Sequence, residues 1–313
     1  MDLQSQSVAL ARCRSYDDRL LAETLDAMWS ACGAPLRLRS AKILLKPNLI
    51  SARSGPLACT DGKFILTAAE WFLDRGCAVT VGDSPAFGTA QWVLHKIGCL
   101  ESLRKRGIGI TNFKNVRMVS LPSGIRAGLA ADALDCDLLV NLPKVKAHAQ
   151  LRVSAAVKNF FGCLAGRRKP LWHMVHGGRA GAFEFHLVEL LSALPNSMTI
   201  VDGIVGMHRT GPLCGRAFAL GMTACSANPV AVDRALLDII GVEPQASPLM
   251  TACARAGLPG SRFDDLDFPL RMPRDLRVQG FEVPQQLAPI RFSLFRFLRG
   301  SCRRILQRSD GTD

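Results

Sequence analysis

The sequence predicts an α/β protein: a mostly parallel sheet flanked by helices, with a site at the C-terminal ends of the strands. Three observations predict it. Five short runs are apolar on successive residues, amphipathic stretches lie between or after them, and every run exits into a polar segment. The runs are AKILL before Lys46, CAVTV before Gly82, CDLLV before Asn141, SMTIV before Asp202 and AFALGMTAC before Ser226. Continuous apolar runs of this length suit strands buried on both faces. Residues 63–75 set an apolar face against Thr67, Glu70 and Asp74, and 89–106 and 183–194 read the same way. Residues 229–240 begin with Pro229, favoured in a first helical turn. Alternation of strand and helix points to the α/β class.

The exits read KPN, GDSP, NLPKVKAH, DGIVG and SANP. In open α/β sheets ligands bind beyond the carboxyl ends of the strands, so these five exits are expected to converge on one rim. The plainer alternative is that loops are polar anyway. The lysines Lys46, Lys144, Lys146 and Lys158, so close to apolar strands, favour a site. Residues 163–182 are long, basic and glycine-rich, as a lid over a site would be.

If 144–149 is extended, Lys144, Lys146 and His148 share one side and Val145, Ala147 and Ala149 the other. Lys158 falls in SAAVKN, a short helix closed by Gly162, where a lysine would also complement the helix dipole. A buried ammonium needs a carboxylate or phosphate, from the protein or from a ligand. Asp83 and Asp202, each at its own strand exit, are the protein partners in reach. The expected ligand is therefore an anionic small molecule. Asp83, Asp202 and His148 are the candidates for proton transfer, an imidazole titrating near ~6.5 when unperturbed. The same two aspartates with His148 or His173 are also a candidate divalent-cation set, although no H-x-H or H-x-x-x-H spacing supports it. No P-loop lysine–serine pair, G-x-G-x-x-G or G-x-S-x-G is present. Asp233, inside the last helix, is either a buried polar group or an anchor for a neighbouring loop.

The chain has 313 residues and a formal charge of +13, which favours acidic partners. Nucleic acid is a disfavoured alternative: aromatics are 6%, tyrosine occurs once, and no helix-turn-helix or zinc-finger pattern appears. Eleven scattered cysteines without a C-x-x-C pair read as reduced thiols rather than a disulfide framework or a cluster site. The N-terminus has no apolar signal region and no run is long enough to span a bilayer, so a cytoplasmic protein is expected.

After residue 241 the strand–helix pattern fades. We divide the chain into an α/β domain, 1–270, and a segment, 271–313, that wraps the domain and ends in a basic helix. Residues 289–308 carry six arginines and no acid, with Phe292, Phe295, Leu298 and Ile305 on one face. Such a helix lies on an anionic membrane, here at its inner face, or in a partner protein's groove. An ordinary helix docked on its own domain shows the same periodicity.

These motifs together resemble the DUF362 family, a bacterial and archaeal family of unknown function. The resemblance runs from about 42 to 241. It rests on Lys46-Pro47-Asn48, Thr60-Asp61, Gly82-Asp83-Ser84 and the stretch from Pro143 to His148. It continues through the stretch from Val157 to Gly162, His173, Asp202-Gly203, Gly211-Pro212 and the stretch from Pro229 to Asp233. It adds Asn48, Asn159 and His173 to Lys46, Lys144, Lys146 and Lys158 as the expected substrate-binding set. Some relatives carry a ferredoxin-like module with clustered cysteines, which implies an iron–sulfur-linked redox role as an alternative. This chain has no such module, so a cluster would be supplied by another protein. Asn228 stands where relatives often show an aspartate, which weakens a metal role at that turn.

Overall fold

Each of the five apolar runs forms a strand, and the helices between them close both faces of the sheet. The computed structural model describes residues 1, 3–34, 38–51, 55–165, 172 and 181–289. In chain order the elements begin with β1 (Ala9–Arg12), α1 (Asp18–Ala31), β2 (Lys42–Pro47), α2 (Gly62–Leu73) and β3 (Ala78–Asp83). Next come α3 (Ala90–Lys96), α4 (Leu100–Lys105), β4 (Gly109–Asn112), the hairpin of β5 (Val116–Ser120) and β6 (Arg126–Ala130), and α5 (Ala131–Leu134). β7 (Leu138–Leu142), β8 (Lys144–His148), β9 (Arg152–Ser154), α6 (Ala156–Asn159) and α7 (Ala182–Glu189) follow. The remainder is β10 (Ser197–Ile200), β11 (Asp202–His208), β12 (Arg216–Ser226), α8 (Pro229–Ile239), α9 (Pro248–Arg255) and α10 (Pro273–Leu276).

The main sheet has ten strands among the described residues, in the order β4-β3-β2-β7-β10-β12-β11-β8-β9, with β1 on β12. The pairs β4–β3, β3–β2, β2–β7, β7–β10 and β8–β11 are parallel. Only Pro143 separates β7 from β8, and only Val201 separates β10 from β11. Each pair is thus one extended run, and the amide of Asp202 donates to the carbonyl of Pro143 at 2.9 Å to join them. The lysine stretch is therefore a strand, not a loop, because its alternation suits a pleat with two different faces.

Those faces bury separate cores. On one, α1, α2, α3 and α4 pack Leu21, Met28, Phe64, Phe72, Val93 and Leu103 against Leu45, Val81 and Val140. On the other, α6, α7, α8 and α9 pack around Leu44, Leu139, Val145 and Ala147. Asp17 caps α1 by accepting from the amide of Leu20, and Asn228 caps α8 through the amides of Val230 and Ala231.

Three expectations need correction. β12 runs antiparallel to β10, so Ser226 to Pro229 leave at the opposite edge from the other four exits. An apolar run carries no direction, and Asn228 does cap work at that edge. Residues 89–106 form two helices, because Gly98 takes φ +81° after α3. β1 and α1, absent from the pattern above, complete the sheet edge and one face.

Residues 271–289 cross the domain. Leu276 of α10 enters the core, the amide of Val278 bonds Ile239, and that of Ala288 bonds Ala149. The arginine-rich stretch lies outside the described residues from 290 onward, as do His173 and most of the expected lid.

Candidate functional site

Lys46, the penultimate residue of β2, has a fully buried side chain. Its Nζ lies 3.0 Å from Asp83 Oδ1, donates to the carbonyl of Pro47 at 3.0 Å, and reaches Asn159 Oδ1 at 3.4 Å. Asp83, at the end of β3, also accepts from the amides of Leu49 and Ser84. Asn159 of α6 donates to the carbonyl of Lys46 and to Asn141 Oδ1. The backbone of Gly162 passes so close that a Cβ there would overlap Lys46 Cε and Nζ and lie 2.6 Å from Asp83 Oδ1. Only a residue without a side chain fits at Gly162, directly against this ion pair.

A second pair forms where β8 begins. Lys144 Nζ lies 2.8 Å from Asp202 Oδ2, and Asp202 is fully buried. Its Oδ1 accepts the hydroxyl of Tyr16 at 2.8 Å, and its Oδ2 accepts the amide of Asp61 at 2.8 Å. The Tyr16 oxygen in turn accepts from Lys144 Nζ at 2.9 Å and from the amide of Val205 at 3.3 Å. That amide is within the stretch where the β11–β12 register shifts. Burial, and then the charge of Asp202, push Tyr16 ionisation far above its ordinary value. Asp61 caps α2 by accepting from the amide of Lys63, and burial followed by the Asp202 charge raises its pKa.

Lys146 differs from both. It is 1% exposed, and its Nζ donates to Asn48 Oδ1 at 3.0 Å and to the carbonyl of Ala58 at 2.9 Å. Among the described residues it makes no ion pair. Burial, opposed by Cys59 and then reinforced by the charge of Lys144, brings its pKa down to about 8; Asp83 raises it and Lys46 lowers it further. Lys46, Asp83 and Lys144 therefore lie within electrostatic reach of Lys146. Thr60 fixes the Asn48 acceptor: the amide of Asn48 donates to Thr60 Oγ1, and the amide of Thr60 donates to the carbonyl of Asn48. The Thr60 hydroxyl donates onward to Leu142 at 2.6 Å.

His148 is buried at the end of β8, on the same face as Lys144 and Lys146. Its Nδ1 accepts from the amides of Gln150 and Leu151 at 3.1 and 3.2 Å, which places the neutral ring's proton on Nε2. The hydrogen-bonding role this leaves is that of a donor. Lys158 has a different environment: its ammonium lies 3.8 Å from the centre of the Phe161 ring and 5.6 Å from that of Phe183. Asp83 and Asp202 each pair with a different lysine, and His173, the other candidate ligand, lies outside the described residues. Among the described residues no group of three or more His, Cys, Asp or Glu is arranged to hold a metal ion. Asp233 anchors α6, accepting the amides of Ala156 and Val157 at 2.7 and 3.1 Å.

A family model for a domain of unknown function, DUF362, matches residues 43–238, most of the sheet and all of these lysines. The chain belongs to the DUF362 family. A relative described as the thylakoid-associated protein sll1697 of Synechocystis sp. is 35% identical over 300 residues, covering 95% of this chain and 93% of its own. The lactate racemase apoprotein of Thermoanaerobacterium thermosaccharolyticum superposes with a TM-score of 0.42 at 15% identity over 64% of this DUF362 chain. A crystallised protein of Thermotoga maritima gives 0.42 at 13% identity over 63%. This chain covers about half, 52%, of each of those two structures. Likeness at that level carries no conclusion about activity.

Tyr16, Thr60 and Asp61 complete the site, and the residue chemistry alone did not select them. The signals available were that Tyr16 is the chain's one tyrosine, immediately before a helix cap, and that Thr60-Asp61 belongs to the family pattern.

Proposed function

We propose that this DUF362 chain is an enzyme that binds an anionic small molecule, a carboxylate or phosphate, at the C-terminal rim of the parallel strands. One observation carries the reading: Lys146 is a buried lysine with neutral acceptors and no carboxylate partner among the described residues. Lys46 and Lys144 have their counter-charges in Asp83 and Asp202. An anionic ligand would supply the one that Lys146 lacks. His148, on the same strand face, offers its Nε2–H as a hydrogen-bond donor to the ligand, and Asn48, held by Thr60, orients it.

The test is binding of acetate and inorganic phosphate by the purified protein, followed calorimetrically. Lys146→Met should weaken binding at least tenfold. Lys42→Met, at the exposed opposite end of β2, should leave it unchanged. Equal affinities in both variants refute the reading.

A second reading concerns location. We propose peripheral attachment to an anionic membrane surface through 289–308. The relative's description as thylakoid-associated supports it, together with the arginine content of that stretch. No helix among the described residues is long and apolar enough to cross a membrane. Co-sedimentation with phosphatidylglycerol vesicles should fall on removal of 287–313, and undiminished co-sedimentation ends the idea.

A further inference from the structure

We propose that the Lys146 amine is a carbonyl nucleophile, and that the anionic ligand is a carboxylic acid bearing a ketone or aldehyde that condenses with it. This rests on the anion-binding reading above and names its substrate class.

The geometry points there through a hydrogen-bond count. A neutral amine has two N–H donors and one lone pair; an ammonium has three donors and none. Lys146 meets two acceptors, Asn48 Oδ1 and the carbonyl of Ala58. An ammonium would leave a third N–H unmade in a residue 1% exposed, and an unmade buried donor is costly. The neutral form matches its surroundings and leaves its lone pair unengaged. Both acceptors are fixed, Asn48 by its backbone bonds to Thr60 and Ala58 by the 3-10 turn Pro56–Ala58.

The charges nearby act the same way. Lys144 on the same strand and Lys46 on β2 oppose a third positive charge, while Asp83, and Cys59 when ionised, favour it. Burial decides the balance and leaves the group at about 8. Roughly a tenth of the molecules then carry the free amine at pH 7. A lysine desolvated beside other cations is the arrangement that activates an amine for Schiff-base chemistry.

The step balances without an oxidant or reductant. The lone pair attacks the carbonyl carbon and a C–N bond forms. The carbonyl oxygen then leaves as water with both amine hydrogens, giving an imine. Protonation of that imine creates a buried cation, and the ligand's own carboxylate is its counter-charge.

The experiment uses the full chain with glyoxylate or pyruvate and sodium cyanoborohydride, read by intact mass and peptide mapping. The expected result is reductive alkylation of Lys146 ahead of the surface lysines, rising with pH through about 8, and absent in Lys146→Arg. Acetate should slow it by competition. Labelling confined to surface lysines in the folded protein overturns the proposal. If acetate and phosphate bind and Lys146 still resists trapping, condensation fails and anion binding stands. Trapping without any acetate or phosphate binding upholds the nucleophile and removes the anion reading.

Discussion

Replacing Asp202 by Asn removes a charge while keeping most of the hydrogen bonds around it. The amide oxygen can still accept from Lys144 Nζ and the amide of Asp61, and the amide nitrogen can turn toward the Tyr16 oxygen. What remains is a Lys144 side chain, 3% exposed, with no counter-charge. Breaking a buried pair from one side costs about 3–5 kcal/mol. A ceiling exists, because the lysine can shed its proton; holding an ordinary lysine neutral at pH 7 costs about 4.6 kcal/mol. With about 2.1 cal/mol/K per residue over 313 residues, each kcal/mol moves Tm by about 1.5 °C. Asp202→Asn should therefore lower Tm by about 5–7 °C at pH 7. The loss should shrink as pH rises, since the unfolded variant then holds a proton on this lysine that the folded one has released. The recovery is about 1.4 kcal/mol per pH unit, or about 2 °C, between pH 7 and 9. Thermal unfolding followed by circular dichroism across that range measures it, beside the wild type and the Lys144→Met, Asp202→Asn double variant, which should be more stable than the single one. A penalty below about 1 kcal/mol, or one that does not change with pH, would refute a buried charge pair as the source.

Gly162→Ala should lose about 3 kcal/mol or more in urea unfolding, since the new methyl group must displace the Lys46–Asp83 pair from a site with no free volume. Asp233, enclosed at the start of α6, has its pKa raised by burial to about 7, against the two backbone amides that lower it. Its folded value exceeds the unfolded one, so its contribution is greatest below about pH 4 and fades as pH rises toward 7. The residue is half-buried by area, which limits the loss to about 1–2 kcal/mol. Asp233→Asn should flatten that part of the stability–pH curve, and parallel curves for variant and wild type would count against it.

The fold was legible where burial is symmetrical. β2, β3, β7 and β10 are buried along most of their length, so apolar residues predominate on successive positions and declare the strands. Direction is a different property. Nothing in AFALGMTAC distinguishes an antiparallel strand from a parallel one, and that placed one exit on the wrong edge. The pairing of lysines with Asp83 and Asp202 followed from the cost of burying an ammonium, which holds whatever the fold. Lys158 lies over the Phe161 and Phe183 rings, a cation–π placement that its position in a four-residue helix did not announce. Tyr16 was hidden for the opposite reason. It comes from a loop far away in sequence and reaches the site only once α1 packs on the sheet.

The positive basin suggested by net charge is, among the described residues, two ion pairs and one lysine, Lys146, that makes none. That division has a consequence for specificity. A region of three free ammonium groups would attract any polyanion, with an affinity falling steeply as salt rises. With Lys46 and Lys144 already paired, the proposed anion site would call for a single negative charge at Lys146, in a place too enclosed for salt to screen well. A small monoanion fits this demand better than a nucleotide or a nucleic-acid backbone does. The two ion pairs then act as struts: they fix β2, β3, β8 and β11 at their ends, and their lysines hold down the proton affinity of the third. Removing either lysine's charge should therefore raise the pKa of Lys146 and slow its amine chemistry, without touching the group that reacts.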